Sequence, residues 1–372
     1  MSKSNSNQLL YQIGLTMLPN IGSVLAKNLL AYCGSCEAVF KTPKQKLLKI
    51  PLIGEERAEA IVKAEVLKDA EKELKFIDEY KITPLFFTDE DYPHRLKLCA
   101  DSPILIFYRG TADLNAAKTV GIVGTRKATE YGKELTKKIV SDLAAQDILI
   151  ISGLAYGIDV AAHSAALENN LKTIGVLGHG LNTIYPPEHK PVAKKMVLQG
   201  GLLTEYKSID TMILHNFPER NRIIAGMCDA VVVIESGIKG GAVITANIAN
   251  SYNREVFATP GRTIDKMSTG CNFLLKTHKA AMIETGNDLL EAMGWATKEG
   301  EGKTKKPQRQ LALNLSEEER KIHTMLDEKG ELEIDKLVLE TGMNTSILAG
   351  TLLEMEMNGL IVSLPGKRYK LI

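Results

Sequence analysis

The amino-acid sequence has few aromatic residues, few cysteines, no long hydrophobic run and no excess of either charge. Its five cysteines are an odd number in 372 residues, which argues against a disulfide framework. The longest apolar runs, such as residues 230–234, are far shorter than the roughly 20 residues that a membrane-spanning helix needs. Residues 1–7 are polar and lack the apolar centre of a secretion signal. We therefore expect a cytoplasmic protein that makes no contact with a membrane.

The charge balance excludes a protein that is drawn to polyanions as a whole. The net charge is +1, from 46 Lys and Arg against 45 Asp and Glu. Residues 296–310 hold five basic and two acidic residues, whereas residues 311–372 hold seven basic and eleven acidic ones. A nucleic-acid site must therefore be local, built from a few basic side chains and backbone amides.

The first segment, residues 1–82, has apolar residues at helical spacing. Residues 18–30 and 50–62 share one plan of Pro, an apolar residue, Gly and an amphipathic helix, in LPNIGSVLAKNLL and IPLIGEERAEAIV. This plan resembles a pair of helix-hairpin-helix motifs, in which the amides of a helix N-terminus hold a DNA phosphate. A helical cap that merely uses Gly turns fits the same pattern.

The second segment, residues 83–295, alternates short β-branched runs with amphipathic helices. Uniformly apolar strands separated by helices predict a doubly wound, mostly parallel α/β sheet that is covered on both faces. Its ligand should lie at the carboxyl ends of the strands. The predicted strands are 103–108, 119–123, 147–151, 173–177, 201–205, 230–235, 255–259 and 280–283.

The third segment begins after a predicted flexible linker, residues 296–310, which is rich in Gly, Lys and polar residues. Residues 311–372 predict three helices and a β-hairpin, the plan of a winged-helix domain. The helix expected at residues 345–357 contains Glu354 and Glu356 but no Lys or Arg. Since a helix that reads the major groove needs cations, we favour a protein contact or a regulatory cap for this domain.

Several Gly-rich turns follow the predicted strands, and the first has the features of an anion site. Gly124 lets the backbone approach a ligand, the next helix begins with unpaired amides, and Arg126 supplies a fork that suits phosphate. Similar turns follow residues 151, 177, 235 and 259. Five such turns at one sheet edge favour a strip of phosphates over a single compact ligand.

Cofactors are not expected. Ser152 occupies the position where a nicotinamide-binding fold carries an acidic residue, and every turn lacks the Gly-Lys-Ser/Thr of a nucleotide-hydrolysing loop. Asp159 and His163 are spaced to pair on one helix face, but neither a nucleophile nor a metal ligand stands beside them. We interpret them as a helix cap and a packed side chain. Ser152 and His179 lack the Gly-x-Ser-x-Gly turn of a hydrolase. We therefore predict no catalytic residue and no metal site, and a lone Cys33-x-x-Cys36 pair does not change this.

A series of motifs resembles the DNA processing protein A (DprA, or Smf) family in order and spacing over about 180 residues. The motifs are GIVGTRKATEYG, ISGLAYGIDVAAH, VLGHGLNTIYPPEH, FPERNRIIAG, GGAVITA, VFATPG and STGCNFLL. The resemblance implies an extended Rossmann-like domain that forms a homodimer and binds single-stranded DNA. It also implies that the protein protects incoming DNA and helps to load the RecA recombinase during natural transformation or recombination.

The resemblance and the turns together give a set of predicted DNA-binding residues. Arg126 matches the arginine of the family's Gly-Ser-Arg loop, although Thr125 replaces its serine. Tyr156 stands where the family commonly has a basic residue, and it is expected either to stack on a base or to pack over the helix start. The set is Gly124, Thr125, Arg126, Lys127, Ser152, Gly153, Tyr156, Gly157, His179, Arg220, Asn221, Arg222, Lys239, Gly240, Gly241, Arg262, Gly270 and Asn272.

Two alternatives remain open for these residues. Arg220 and Arg222 could instead form salt bridges with carboxylates such as Glu205 and Glu219. The Gly-rich turns also resemble those of nucleoside monophosphate phosphoribohydrolases, but residues 239–245 lack the glutamate of their signature. A nucleotide sensor without catalysis fits the same phosphate site.

Overall fold

The computed structural model describes residues 3–296 and 315–371, with side chains from residue 6 onward. The chain divides into two compact units, Met1–Glu284 and Thr285–Ile372. Most of the predicted linker, residues 297–310, lies outside the described residues, and the predicted domain boundaries stay a prediction. Among the described residues, no helix combines the length and the apolar character needed to cross a membrane.

The N-terminal segment forms helices, as predicted. Gly22 and Gly54 lie in extended backbone directly before α2 (Ser23–Cys33) and α5 (Glu55–Val62), so each predicted Gly turn opens a helix. Between the last two helices of this segment, α5 ends at Val62 and α6 begins at Leu67. These helices are α1 (Lys3–Thr16), α2 (Ser23–Cys33), α3 (Cys36–Lys41), α4 (Lys44–Leu47), α5 (Glu55–Val62) and α6 (Leu67–Glu79).

In the described residues, the first unit is centred on a sheet of nine strands. Their order in the sheet is β1-β2-β6-β5-β4-β3-β7-β8-β9. All eight predicted strands are present. The strands are β1 (Thr83–Phe86), β2 (Leu105–Gly110), β3 (Lys118–Val123), β4 (Ile148–Ser152), β5 (Thr173–Val176), β6 (Gly201–Thr204), β7 (Ala230–Val233), β8 (Glu255–Ala258) and β9 (Ala281–Met282).

The sheet is mostly parallel, which confirms the predicted fold class. From β6 to β9 every neighbouring pair is parallel, whereas β2 pairs antiparallel with β6 and β1 antiparallel with β2. Strand β1 is not among the predicted strands. It is four residues long and contains Pro84, which cannot donate to a ladder and therefore weakens the strand pattern.

Helices cover both faces of this sheet. Because side chains alternate across a strand, Leu149 and Ile151 of β4 belong to the core beside α11 and α12, while the buried Ile150 points to the opposite face. The helices of this part are α7 (His94–Lys97), α8 (Glu130–Asp142), α9 (Ile158–Glu168), α10 (Lys190–Gln199), α11 (Asn216–Met227), α12 (Gly241–Ser251) and α13 (Thr269–Lys276). The next helix, α14 (Gly286–Ala292), belongs to the second unit.

The C-terminal part is a winged-helix domain, as predicted. Its three helices enclose a small core that includes Leu326, Leu337 and Leu352. The predicted hairpin is present and joins a short third strand in the order β10-β12-β11. The elements are α15 (Glu317–Lys329), β10 (Glu331–Glu333), α16 (Ile334–Thr341), α17 (Thr345–Met357), β11 (Ile361–Leu364) and β12 (Arg368–Leu371).

Candidate nucleic-acid interface

A cleft of about 230 Å³ opens at the carboxyl ends of the central strands. Strand β3 pairs with β4 on one side and β7 on the other, so the chain order reverses between β3 and β7. In open α/β sheets this reversal is where ligands bind, because the loops on either side diverge. The cleft lining includes these predicted residues: Gly124, Thr125, Arg126, Arg220, Asn221, Gly240 and Gly241.

The loop after β3 is held in place by Glu235, which follows β7. The Thr125 amide donates to the Glu235 carbonyl oxygen at 2.7 Å. The Glu235 carboxylate accepts hydrogen bonds from the Thr129 amide at 2.9 Å and from the Thr129 hydroxyl at 2.5 Å. Gly132 lets this carboxylate approach, since a Cβ there would lie 2.4 Å from it. Arg126 is thereby presented from a fixed backbone, with its own side chain exposed.

Two glycines bring the start of α9 against the same loop. A Cβ at Gly124 would lie 2.3 Å from the Ile158 side chain. Gly157 has a φ of +79°, and a Cβ there would lie 2.2 Å from the Thr125 carbonyl oxygen. The Ile158 amide donates to that oxygen at 3.3 Å. Both glycines are thus required by close packing beside Arg126.

Arg220 is a buried cation at the wall of the cleft. Its side chain is 4% exposed, and its Nη1 donates to the Val176 carbonyl oxygen. Its Nε has no hydrogen-bond partner among the described residues. Burial lowers the pKa of Arg220, while the neighbouring Asp159 raises it. As a cation in the cleft lining, Arg220 favours an anion in the cleft.

Asp159 lies beside Arg220 and is also buried. A Cβ at Gly153 would lie 2.2 Å from Nη1 of Arg220 and 2.3 Å from Oδ2 of Asp159, so this glycine makes room for both groups. Burial raises the pKa of Asp159 to about 6, against the opposing effect of Arg220 and a smaller one of Arg126. This carboxyl group therefore titrates close to neutral pH.

Helix α12 contributes backbone amides to the cleft. Gly240 and Gly241, at its beginning, both belong to the cleft lining. The first amides of a helix have no partner within the helix and carry its positive dipole end. A Cβ at Gly241 would have no atom nearer than Asn221 Nδ2 at 4.0 Å. The helix start is therefore open to a phosphate oxygen.

Aromatic rings lie next to these cationic groups. The guanidinium carbon of Arg126 is 5.4 Å from the Phe217 ring centroid, within the range of a cation–π contact. Phe217 and Tyr185 have ring centroids 5.9 Å apart and line a smaller cavity, together with His179. Phe217 and Tyr185 are not among the predicted residues. The FPERNR motif and the Tyr-Pro-Pro turn contain them, but only the folded loops bring them together.

Tyr156 is partly exposed and partly packed. Its hydroxyl donates to Glu188 at 2.8 Å, and its ring meets His189 edge-on at 5.1 Å. The side chain remains 41% exposed and lines the smaller cavity. Both expected roles, stacking on a base and packing over the helix start, are compatible with this position.

Other predicted residues lie outside the cleft lining. Ser152 is fully buried and donates to the Ile122 carbonyl oxygen at 2.5 Å. Arg222 forms a salt bridge to Glu205, with Nη2 and Oε2 2.5 Å apart, which is the predicted alternative to DNA binding for this residue. Gly270 packs against the Gly237 carbonyl oxygen. The remaining ones are Lys127, Lys239 and Arg262, which are exposed, and Asn272, which hydrogen-bonds both backbone groups of Gly261.

His163 is not available for chemistry in this arrangement. It is fully buried, with Nδ1 hydrogen-bonded to the Thr173 hydroxyl at 2.7 Å and Nε2 to the Gly153 carbonyl oxygen. Burial lowers its pKa to about 4. Within the described residues, no three His, Cys, Asp or Glu side chains cluster as metal ligands. The predicted absence of catalysis stays a prediction.

Comparison with known proteins gives consistent matches. Residues 83–294 match the family model of DNA recombination-mediator protein A, and residues 306–367 match that of the DprA winged helix domain. Protein Smf from Synechocystis sp. is 32% identical over 400 residues, which cover 99% of this chain and 99% of that protein.

Two solved structures extend these matches. DprA from Streptococcus pneumoniae has a TM-score of 0.66 at 31% identity, covering 76% of this chain and 97% of that one. DNA processing protein A from Helicobacter pylori, a structure described for its single-stranded DNA binding mode, has a TM-score of 0.52 at 28% identity. It covers 57% of this chain and 94% of that one.

Proposed function

Since this chain belongs to the DNA recombination-mediator protein A (DprA) family, we propose that its cleft binds the backbone phosphates of single-stranded DNA. The observation that carries the proposal is the pair of arginines that line the cleft, the buried Arg220 and the exposed Arg126. Together with the start of α12, these groups provide two cations and a set of amides along one edge of the sheet. Phosphate contacts of this kind hold a strand without reading its sequence.

The adjacent aromatic rings support a single strand rather than a duplex. Phe217 lies next to Arg126, and Tyr185 lies next to Phe217. Every unpaired base offers a face to such rings. In a duplex these faces are stacked on neighbouring base pairs and are not accessible. We therefore propose little base preference and a clear preference for single strands.

We further propose the biological role that the family resemblance implies. The protein would act in the cytoplasm as a homodimer formed through the α/β domain. It would protect incoming single-stranded DNA and help to load RecA recombinase in natural transformation or recombination. Its role would be binding rather than catalysis; His163 has both ring nitrogens hydrogen-bonded within the protein.

The direct test is a fluorescence-anisotropy titration with a labelled single-stranded oligonucleotide of mixed sequence. We expect binding that is at least about tenfold tighter than to the matched duplex and that weakens as salt is raised, because bound phosphates release counterions. A nucleoside monophosphate should compete only weakly. If the mononucleotide binds and the oligonucleotide does not, the cleft is a small-molecule site and the proposal is wrong.

The titration of Asp159 predicts a pH dependence of DNA binding. The negative charge of ionised Asp159 repels a phosphate bound beside Arg220 and Arg126. The other titratable group of this region is His179, whose pKa is lowered by burial. Because the pKa of Asp159 is about 6, its negative charge disappears as the pH falls from 7 to 5. The affinity for single-stranded DNA should rise by at least roughly threefold over this range, since salt screens the interaction of a buried charge less than that of an exposed one.

Asp159→Asn is the matched variant for this measurement. It should bind at pH 7 as tightly as the parent chain does at pH 5, with a flat profile between the two. The carboxyl-to-amide change preserves size, so thermal unfolding at pH 5, where the parent Asp159 is mostly neutral, should be similar in both proteins. An unchanged slope in Asp159→Asn would assign the pH dependence to another group.

A further inference from the structure

A second cavity, of about 380 Å³, lies between the beginning of α2 and the loop that joins β6 to α11. Because β6 runs parallel to the central strands, the loop after it leaves from the same edge of the sheet as the loops of the cleft. The polar part of its lining includes Gly22, Ser23, Glu205, Lys207, Asp210 and Asn216. We call this space the α2 cavity.

The beginning of α2 presents backbone amides at this cavity. Gly22 is the N-cap of the helix, in extended backbone with a φ of −81°, and no side chain caps the first turn. The first amides of a helix have no partner within it and carry the positive end of its dipole. The first turn of α2 contains no acidic residue. A Cβ at Gly22 would meet no atom within 4 Å, so these amides are open to an anion.

Asn216, at the start of α11, adds a polar side chain to the same cavity. The residue is only 5% exposed, yet it lines the α2 cavity. Its carboxamide forms no hydrogen bond with the described residues. An amide NH₂ group donates hydrogen bonds to the same oxygen atoms that a helix start binds. The α2 amides and Asn216 together therefore suit one small anion.

The carboxylates of the lining do not oppose an anion, because each is paired with a cation. Glu205 forms the salt bridge to Arg222 described above. Asp210 forms one with Lys207, whose Nζ lies 3.1 Å from Oδ2 of the carboxylate. The lining is thus close to neutral, and the dipole of α2 decides which sign of charge the cavity favours.

Helix α5 begins in the same way but differs in charge. Gly54 is its N-cap, again in extended backbone and with no atom within 4 Å of a Cβ placed there. Its first turn contains Glu55 and Glu56, whose carboxylates occupy the positive end of the dipole and repel a further anion. The two turns share one sequence plan, and α2 is the one whose charge suits phosphate.

We propose that the α2 cavity binds a phosphate group, and that this phosphate belongs to the DNA strand whose other phosphates lie in the cleft. The assignment to DNA rests on the proposed function of the cleft. Asn216 and Phe217 are consecutive residues, and the first lines the α2 cavity while the second lines the cleft. A strand that leaves the cleft past Phe217 therefore reaches the start of α2.

A phosphate on a strand fits this site better than a free phosphate ion. One helix start and one amide hold a free ion only weakly, because water competes for the same hydrogen bonds. A strand that is already bound in the cleft holds its next phosphate near α2 at a high effective concentration. The α2 cavity thus lengthens the contact with a strand and does not act alone.

Gly22→Asp tests this proposal. An aspartate at the N-cap bonds to the α2 amides with its own carboxylate and repels a phosphate, while it remains a favourable cap. We expect the affinity for a single-stranded oligonucleotide of roughly 20 nucleotides to fall by about tenfold in a fluorescence-anisotropy titration. The thermal unfolding midpoint should stay the same or rise.

Gly54→Asp is the matched control, since it makes the same change of charge at the N-cap of α5. It should bind the oligonucleotide as the parent chain does. If Gly22→Asp binds as tightly as Gly54→Asp while Arg126→Ala weakens binding, the α2 site is wrong and the function of the cleft stands. If the parent chain binds no single-stranded DNA, both proposals fail.

Calorimetry with inorganic phosphate distinguishes the two sources of the anion. We expect no measurable heat of binding for the parent chain at phosphate concentrations where the oligonucleotide binds fully. Inorganic phosphate that binds to the parent chain and not to Gly22→Asp, with equal DNA affinities in both, would assign the cavity to the free ion and overturn the proposal.

Discussion

Replacing Arg126 by alanine should weaken the binding of single-stranded DNA by roughly 10- to 100-fold, because a hydrogen bond to a charged group contributes about 1.5–3 kcal/mol. Arg126 is exposed at the cleft, and its backbone is held by the bonds of Thr125 and Thr129 to Glu235. The folded structure should therefore be unaffected by the loss of the side chain. The slope of log affinity against log salt should become less steep by about one, as for the removal of one phosphate contact.

Arg320→Ala is the control for this variant. Arg320 is an exposed arginine on α15 of the winged-helix domain, so the change in net charge is the same. Its affinity and salt slope should match those of the parent chain. If both variants weaken binding equally, the effect reflects overall charge and Arg126 has no specific contact with DNA.

Gly157→Ala should lower the free energy of unfolding by roughly 2–5 kcal/mol, combining a strained backbone with an overpacked contact. The φ of +79° is one that residues with a Cβ rarely adopt. The new methyl group would also lie 2.2 Å from the Thr125 carbonyl oxygen, so the loop that presents Arg126 must move. Urea unfolding followed by circular dichroism measures the loss, and DNA binding should fall with it even where the variant is folded.

Gly241→Ala is the control that shows whether replacing any glycine of the cleft by alanine lowers the free energy of unfolding. Position 241 begins α12, and its Cβ would be in ordinary contact distance of Asn221 alone. Because alanine favours helix more than glycine does, the unfolding free energy should change by less than about 1 kcal/mol. A Gly157→Ala chain as stable as Gly241→Ala would contradict the packing described here.

The sequence determined the architecture because the signals for it are local. Uniformly apolar runs such as those of β4 and β7 predict buried parallel strands. All eight predicted strands are present, and seven of them, β3 to β9, form the parallel part of the sheet. The helix expected at residues 345–357 is α17 with the same bounds. Strand β1 escaped prediction, because Pro84 weakens its pattern and its pairing with β2 depends on the packing of the edge.

Only the tertiary structure decided what each arginine and glycine of the predicted site does. Arg220 and Arg222 stand two residues apart in one motif, yet one lines the cleft and the other pairs with Glu205. A two-residue step on a helix turns a side chain by about 200°, and which side meets the cleft depends on how α11 packs on the sheet.

The same holds for the contacts that link distant turns. The Thr125 carbonyl oxygen leaves no room for a Cβ at residue 157, so a glycine is needed there. The Phe217 ring contacts the Arg126 guanidinium, about 90 residues away in the chain. Local periodicity carries no record of such approaches, because they arise only when parallel strands bring their loops to one edge. The sequence thus determined the sheet and the location of the cleft at its edge. The packing of the helices determined which side chains line that cleft.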